Sequence, residues 1–222
     1  MSLAYKISAF NRRRKWQIFL EKFPPAPDWK ILDVGFNAIE YSNTDNFLEK
    51  NYPWPENITA LGLDKPAQFQ ARYPKVQAVQ YDGGLFPFPD GAFDLVWSNA
   101  VLEHVGGRHQ QIDFLREIKR TGKRFFLTTP NRFFPVEVHT RLPFVHFLPK
   151  AWFDRIARLA GQGWAAGDYM RLLSEKDLRA LLKQAGFDDY QIIRNHFFGL
   201  TLDFIVYSKK NSGCLYKQAI VR

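Results

Sequence analysis

Four short apolar runs in the 222-residue chain each stop at a polar or flexible group: Asp33-Val34-Gly35, Asp64, Asp82-Gly83-Gly84 and Ser98-Asn99. A carboxylate accepts two hydroxyl donors at once, and charge-assisted bonds are the stronger kind. A glycine lets backbone approach a ligand with no Cβ in the way. Any one Asp after a strand is most simply a turn former or a helix cap. Several such groups along one sheet edge would instead make a site for a hydrogen-bonding ligand.

The runs that carry these groups read as strands over residues 31–34, 58–63, 76–81, 93–97 and 124–129, with two more over 190–195 and 203–208. Helical patterns lie between them. Residues 110–120 place Ile112, Leu115 and Ile118 on one face. Residues 174–186 form the clearest helix, with Ser174 as N-cap, Asp177 in the first turn, Leu178, Leu181 and Leu182 periodic, and Gly186 as the stop. A further helix over residues 4–23 lines up Ile18, Phe19 and Phe23 beside Trp16 and ends at Pro24-Pro25-Ala26-Pro27. Short buried strands alternating with helices predict an α/β, doubly wound, Rossmann-like sheet of seven strands. It is mostly parallel and closes in an antiparallel C-terminal edge hairpin. Such sheets bind ligands outside the carboxyl ends of their strands.

In spacing and residue type the chain resembles the class I S-adenosylmethionine (SAM)-dependent methyltransferases. Ile31-Leu32-Asp33-Val34-Gly35 is similar to their first motif, and Leu61-Gly62-Leu63-Asp64 to their second. Asp82, with the run Leu85-Phe86-Pro87-Phe88-Pro89-Asp90-Gly91-Ala92-Phe93-Asp94-Leu95-Val96, resembles the third and fourth. Ser98-Asn99-Ala100-Val101-Leu102-Glu103-His104-Val105 resembles the segment beside the methionine part of the cofactor, and Thr128-Thr129-Pro130-Asn131 the end of the fifth strand. The resemblance spans about residues 29–208 and is most specific from Asp82 to Val105. It implies SAM as cofactor, with contacts at Asp33, Gly35, Asp64 with Lys65 beside it, Asp82 with Gly83, and Ser98 with Asn99. Asp64 would take both ribose hydroxyls and Asp82 the adenine amino group. The methyl group sits on a sulfonium, so no metal is expected. Catalysis then rests on alignment and water exclusion, with a base only where the acceptor must lose a proton.

The first motif departs from the family pattern. Gly35-Phe36-Asn37-Ala38-Ile39-Glu40 keeps only the first of the usual glycines. Asn37 tolerates left-handed backbone and is expected to substitute in part. The 31 residues from Asp33 to Asp64 exceed the ~20 of simpler dinucleotide folds, and the extra chain holds Asn51-Tyr52-Pro53-Trp54-Pro55, expected as a surface loop or cofactor flap.

Residues 131–149, rich in aromatics and scattered polar groups, follow the fifth strand at the ligand edge and have the composition of a pocket. The bland reading is a packed lid. Among Arg132, Glu137, His139 and Arg141, His139 is the preferred base, because histidine titrates near neutrality. His104 is the second candidate. The run Arg12-Arg13-Arg14-Lys15 reads most simply as a solvated helix face. A phosphate or RNA contact, or a membrane-surface helix using Trp16 and Phe19, are the alternatives.

Hydrophobic residues at 46% and charged residues at 24% exclude a wholly disordered chain. A single cysteine, Cys214, excludes an internal disulfide and a cysteine-rich zinc site. No secretory signal is visible and no apolar stretch approaches the ~20 residues of a membrane span, so a cytoplasmic protein is expected. The sequence therefore predicts a basic N-terminal helix or lid (1–23) and a methyltransferase domain (24–222) with an inserted acceptor or lid segment at about 131–172. The expected acceptor is a small molecule, a lipid or a glycan, with peripheral membrane contact allowed. The net charge of +9 motivates RNA or protein as runner-up acceptors. The lost glycines motivate a non-catalytic nucleotide-binding or scaffold protein.

Overall fold

The computed structural model describes residues 3–136, 140, 142–167 and 170–209. In chain order the elements are α1 (Leu3–Lys22), β1 (Ile31–Val34), α2 (Phe47–Asn51), β2 (Ile58–Gly62), α3 (Ala67–Arg72), β3 (Gln77–Gln80) and β4 (Leu95–Asn99). They continue with α4 (Arg108–Thr121), β5 (Phe125–Pro130), α5 (Lys150–Leu159), α6 (Glu175–Gln184), β6 (Tyr190–Phe197) and β7 (Leu200–Ser208). The seven strands form one sheet in the order β3-β2-β1-β4-β5-β7-β6. Pairing is parallel from β3 through β5, and β7 runs antiparallel to both β5 and β6. The class, the strand count and the C-terminal hairpin are those expected from the sequence.

The central strands β1, β4 and β5 read as continuous apolar runs because both sheet faces are covered, and β5 is buried at every position. Successive residues point to opposite faces. Leu32, Val34, Leu61, Val96 and Leu127 join one core with Leu115, Ile118, Leu178 and Leu181 of α4 and α6. Their neighbours Ile31, Ala60, Leu95, Trp97 and Phe126 join the other, with Phe19 and Phe23 of α1, Leu48 of α2 and Phe69 of α3. The result is a three-layer helix–sheet–helix sandwich. In the second core Trp97 and Phe126 stack with ring centroids 4.9 Å apart, and Phe19 meets each edge-on at 4.8 and 5.3 Å.

Local chemistry sets the element ends. Ser174 accepts from the Asp177 amide while Asp177 takes the Ser174 amide, a capping box on α6. Phe198 and Gly199, both at positive φ, make a two-residue turn, so β6 and β7 extend further toward each other than their apolar cores indicate.

Two expectations are corrected. The basic run of α1 is not simply a solvated face. Arg13 and Arg14 are exposed, but Lys15 is 4% exposed and pairs with buried Asp203 of β7 at 3.0 Å. Asn11 adds an amide bond to the same carboxylate at 2.6 Å, and the guanidinium of Arg14 reaches the His196 carbonyl at 2.7 Å. An apolar helix face supplies the seat, and these bonds fix its rotation. The stretch 51–55 is not a flap: Tyr52 is buried, donates to the Ala26 carbonyl at 3.1 Å and packs on Trp54.

The 131–172 insertion carries a turn at Val145–Phe147, then α5, and a small core of Phe153, Ala157 and Ala165. No helix among the described residues is long and apolar enough to cross a membrane.

Candidate active site

A cleft of about 640 Å³ opens at the carboxyl ends of β1, β2 and β4, within the ~300–1,000 Å³ of ligand sites. It gathers Asp33, Gly35, Asp64, Gly83, Asn99 and His104 from the expected residues. Ser98 lies beneath it, 1% exposed, and its hydroxyl has no hydrogen-bond partner among the described residues. Lys65 and Asp82 are exposed and lie outside the lining. Asp82 Oδ1 accepts from the Gly84 amide at 2.9 Å, which shapes the turn that places Tyr81 and Gly83 at the rim. His139 lies outside the described residues, as do Glu137 and Arg141. Among the described residues no group of His, Cys, Asp or Glu is placed to hold a metal ion.

The loop after β1 explains how the motif works with one glycine. Gly35 has φ +107°, and a Cβ there would lie 2.4 Å from Val101 Cγ2. Phe36 turns into the core, packs on Phe69 at 4.5 Å and fills the space above Gly62. Asn37 is not left-handed; the positive φ belongs to Asn46. The Asn46 side chain accepts from the Asn37 amide and donates to the Asn37 carbonyl, both at 2.9 Å. Asp45 holds the Tyr41 and Ser42 amides at 2.7 and 2.9 Å. A side-chain latch from the start of α2 thus does what backbone freedom does in a glycine-rich loop. Ile39 is half exposed and outside the cleft.

Asp64 Oδ2 accepts from the Ala38 amide at 2.9 Å, which aims the carboxylate across the cleft mouth and leaves Oδ1 for a ligand. Asn99 Oδ1 takes the Thr128 hydroxyl at 2.8 Å, fixing the corner after β4. Burial pushes the Asp33 carboxyl well above the usual range and neighbouring Glu49 adds to it, while Arg12 pulls the other way. Glu49, 5% exposed, is raised by burial as well, and neither of its oxygens meets a donor group elsewhere among the described residues. Tyr81 is pushed up to about 12 by burial and by Asp82, and stays a neutral hydroxyl.

Sequence reasoning missed Arg12, which enters the cleft wall from α1 beside Trp97. Burial lowers its value, and Asp45, Asp203, Asp33 and Glu103 oppose that loss. Its signal was the basic run, but nothing in the run separates Arg12 from its solvated neighbours. Glu49 and Asn46 carried no signal, because the chain between Asp33 and Asp64 matches no regular pattern.

A family described as "Methyltransferase domain" matches residues 33–124, the stretch that carries the cleft. A probable S-adenosylmethionine-dependent methyltransferase of Mycolicibacterium smegmatis is 33% identical over 76 residues, 32% of this chain and 30% of its own length. Over residues 33–124 the chain is similar to that methyltransferase domain family. The match spans under a third of that curated relative. A SAM-dependent methyltransferase of Aquifex aeolicus has the same fold with a TM-score of 0.54 and 16% identity, over 94% of this chain and 98% of its own. One from Mesorhizobium loti has a TM-score of 0.57 and 13% identity, over 88% and 97%.

The cofactor named for these relatives is SAM, and the residues present fit it. Gly35 leaves a cradle that a Cβ would fill, Asp64 keeps an oxygen for hydroxyl donors, and Arg12, Asp33 and Asp45 line one cleft large enough for a nucleoside. A zwitterionic amino-acid group suits a wall with both signs of charge.

Proposed function

We propose that the chain transfers a methyl group from SAM to a small-molecule, lipid or glycan acceptor. The observation that carries this reading is the cleft itself: Asp64 is latched with one oxygen open, opposite Arg12 and Asp33, at the switch between β1 and β4. When bound, SAM supplies a methyl group on a sulfonium, already activated for transfer. The chain's own residues then bind and orient. Asp64 holds the ribose hydroxyls, and Gly35 admits the backbone approach. Arg12 meets the cofactor carboxylate, while Asp33 and Asp45 face its ammonium. Tyr81 and Gly83 would hold the adenine, with Asp82 and Lys65 outside the lining beside them. Asn99 and Ser98 shape the floor at the methyl end.

His104 lines the cleft and is the base of this reading where the acceptor must lose a proton, with His139 as the other candidate. The segment at 131–172 forms the acceptor side, and residues 1–23 form a basic helix that walls the cofactor side of the 24–222 domain. The location is cytoplasmic. The Asn46 latch supports cofactor binding by a glycine-poor loop and weakens the motive for a non-catalytic role. The inward turn of Arg12 and Lys15 weakens the motive for an RNA acceptor.

Incubation of the full chain with methyl-labelled SAM and cell extract tests the reading. Label is expected in an organic or glycan extract, surviving RNase. Label confined to RNA or protein would overturn the acceptor class, and no label with any extract would overturn methyl transfer.

A further inference from the structure

A second cavity, of about 490 Å³, lies beside the cleft and is walled by the insertion. His104 and Gly106 line the cleft, and Arg108 lines the second cavity, so the two share one short segment. Three guanidiniums reach this cavity from three parts of the chain. Arg108 begins α4, Arg132 follows β5, and Arg171 precedes α6.

The backbone fixes their convergence. The Arg132 amide donates to the Leu173 carbonyl at 3.0 Å, and the Arg171 amide to the Glu103 carbonyl at 2.8 Å. Gln111, buried at 2% exposure, ties the Leu102 and Arg171 carbonyls together at 3.1 and 3.4 Å. A Cβ built on Gly107 would lie 3.8 Å from Arg171 Cζ.

Two of these cations lack a direct partner and act on the cavity's acid, Asp177, only through space. Arg108 and Arg132 make no hydrogen bond or ion pair through their side chains with any described residue. The one acid in the wall, Asp177, already accepts from the Ser174 hydroxyl at 2.6 Å and amide at 3.2 Å. Both ring nitrogens of His146 are buried without a partner among the described residues. The N-terminus of α4 has no side-chain cap, so its positive end adds to the same field. Gathering like charges in a concavity is unfavourable unless an anion joins them, and the guanidinium fork matches tetrahedral oxyanions in two-point contact. Leu148 and Phe153 supply an apolar wall beside the cations.

We propose that Arg108 and Arg132, converging beside Arg171, form an oxyanion site for a phosphate-bearing molecule with an apolar portion. That this molecule is the methyl acceptor rests on the reading above; the site itself does not.

Binding of octyl phosphate to the full chain by calorimetry tests the proposal, with octyl glucoside and octanoate as the neutral and carboxylate controls. Arg108→Gln and Arg132→Gln are each expected to weaken octyl phosphate about tenfold, and the pair on the order of a hundredfold. The thermal shift given by S-adenosylhomocysteine should persist in the double variant, marking an intact fold and cleft. Should that shift be absent in the wild type, the cofactor reading fails by itself, and circular dichroism melting then reports the fold. Vesicles of phosphatidylcholine with and without phosphatidic acid separate the sources. Arginine-dependent vesicle binding assigns the phosphate to a membrane lipid, and binding of the soluble amphiphile alone assigns it to a free metabolite. Equal octyl phosphate affinity in wild type and double variant would overturn the site. So would octyl glucoside or octanoate binding as tightly, or an arginine-dependent affinity for bulk RNA exceeding that for octyl phosphate.

Discussion

The cofactor cleft and the arginine cavity lie on either side of residues 103–108, and they hold charge in opposite ways. On the cleft side the cations are matched within the protein, while the Asp33 carboxyl is disfavoured by burial and by Glu49. Arg12 lies among Asp33, Asp45 and Asp203, Lys15 behind it pairs with Asp203, and Asp33 shares its burial with Glu49. In the cavity, Arg108 and Arg132 have no ion pair among the described residues, and the wall's one acid serves a helix cap. Matched charges hold elements together, so removing one should disturb the fold. Unmatched charges at an open wall are directed at a ligand, so removing one should disturb binding and little else.

Substitution can break that contrast. The largest effect is expected for Lys15→Ala, which strands Asp203 in the interior without its cation. A loss of about 3–5 kcal/mol is expected, lowering Tm by on the order of 10 °C in a thermal melt. Gly35→Ala comes next. The φ of +107° costs about 1–3 kcal/mol for a side chain, and the clash with Val101 adds to it. Cofactor affinity should fall with it, while the octyl phosphate affinity of the folded protein stays. Asp64→Ala should leave Tm nearly unchanged and weaken S-adenosylhomocysteine binding by about 1.5–3 kcal/mol, read by calorimetry.

Asp33→Asn tests the matched side through pH. The raised Asp33 value means that wild-type stability is fullest below the ordinary carboxylate range and is lost as pH rises through the folded value. The Asn variant should therefore gain on the wild type as pH rises above the ordinary carboxylate range in urea unfolding. A constant difference would show that Asp33 does not titrate in that window. The smallest change is expected for Arg132→Gln, within about 0.5 kcal/mol of wild-type stability.

The same contrast marks what the sequence could disclose. Each strand forms around an apolar run, so the sheet and the placement of Gly35, Asp64, Asn99 and His104 on one edge followed from local pattern. The capping box at Ser174 was legible for the same reason, since both partners lie within one turn. Arg12 was not, because its role depends on how Phe19 and Phe23 seat α1 against Trp97 and Phe126. Asn46 and Glu49 act across the loop after β1, in chain with no regular period. The arginine cavity joins residues 108, 132 and 171, and the pairing of Asn131 with Leu173, the Arg171 amide on the Glu103 carbonyl and the Gln111 side chain bring them together.

The central claim is that a first motif with one glycine, latched by Asn46, still forms a SAM site. Thermal unfolding of the full chain with and without S-adenosylhomocysteine tests it most directly. A ligand at ~100 times its dissociation constant adds about 2.7 kcal/mol, which in a domain of this size raises Tm by roughly 5–10 °C. That rise, lost in Asp64→Ala, is the predicted result. An unchanged Tm at millimolar ligand would contradict it.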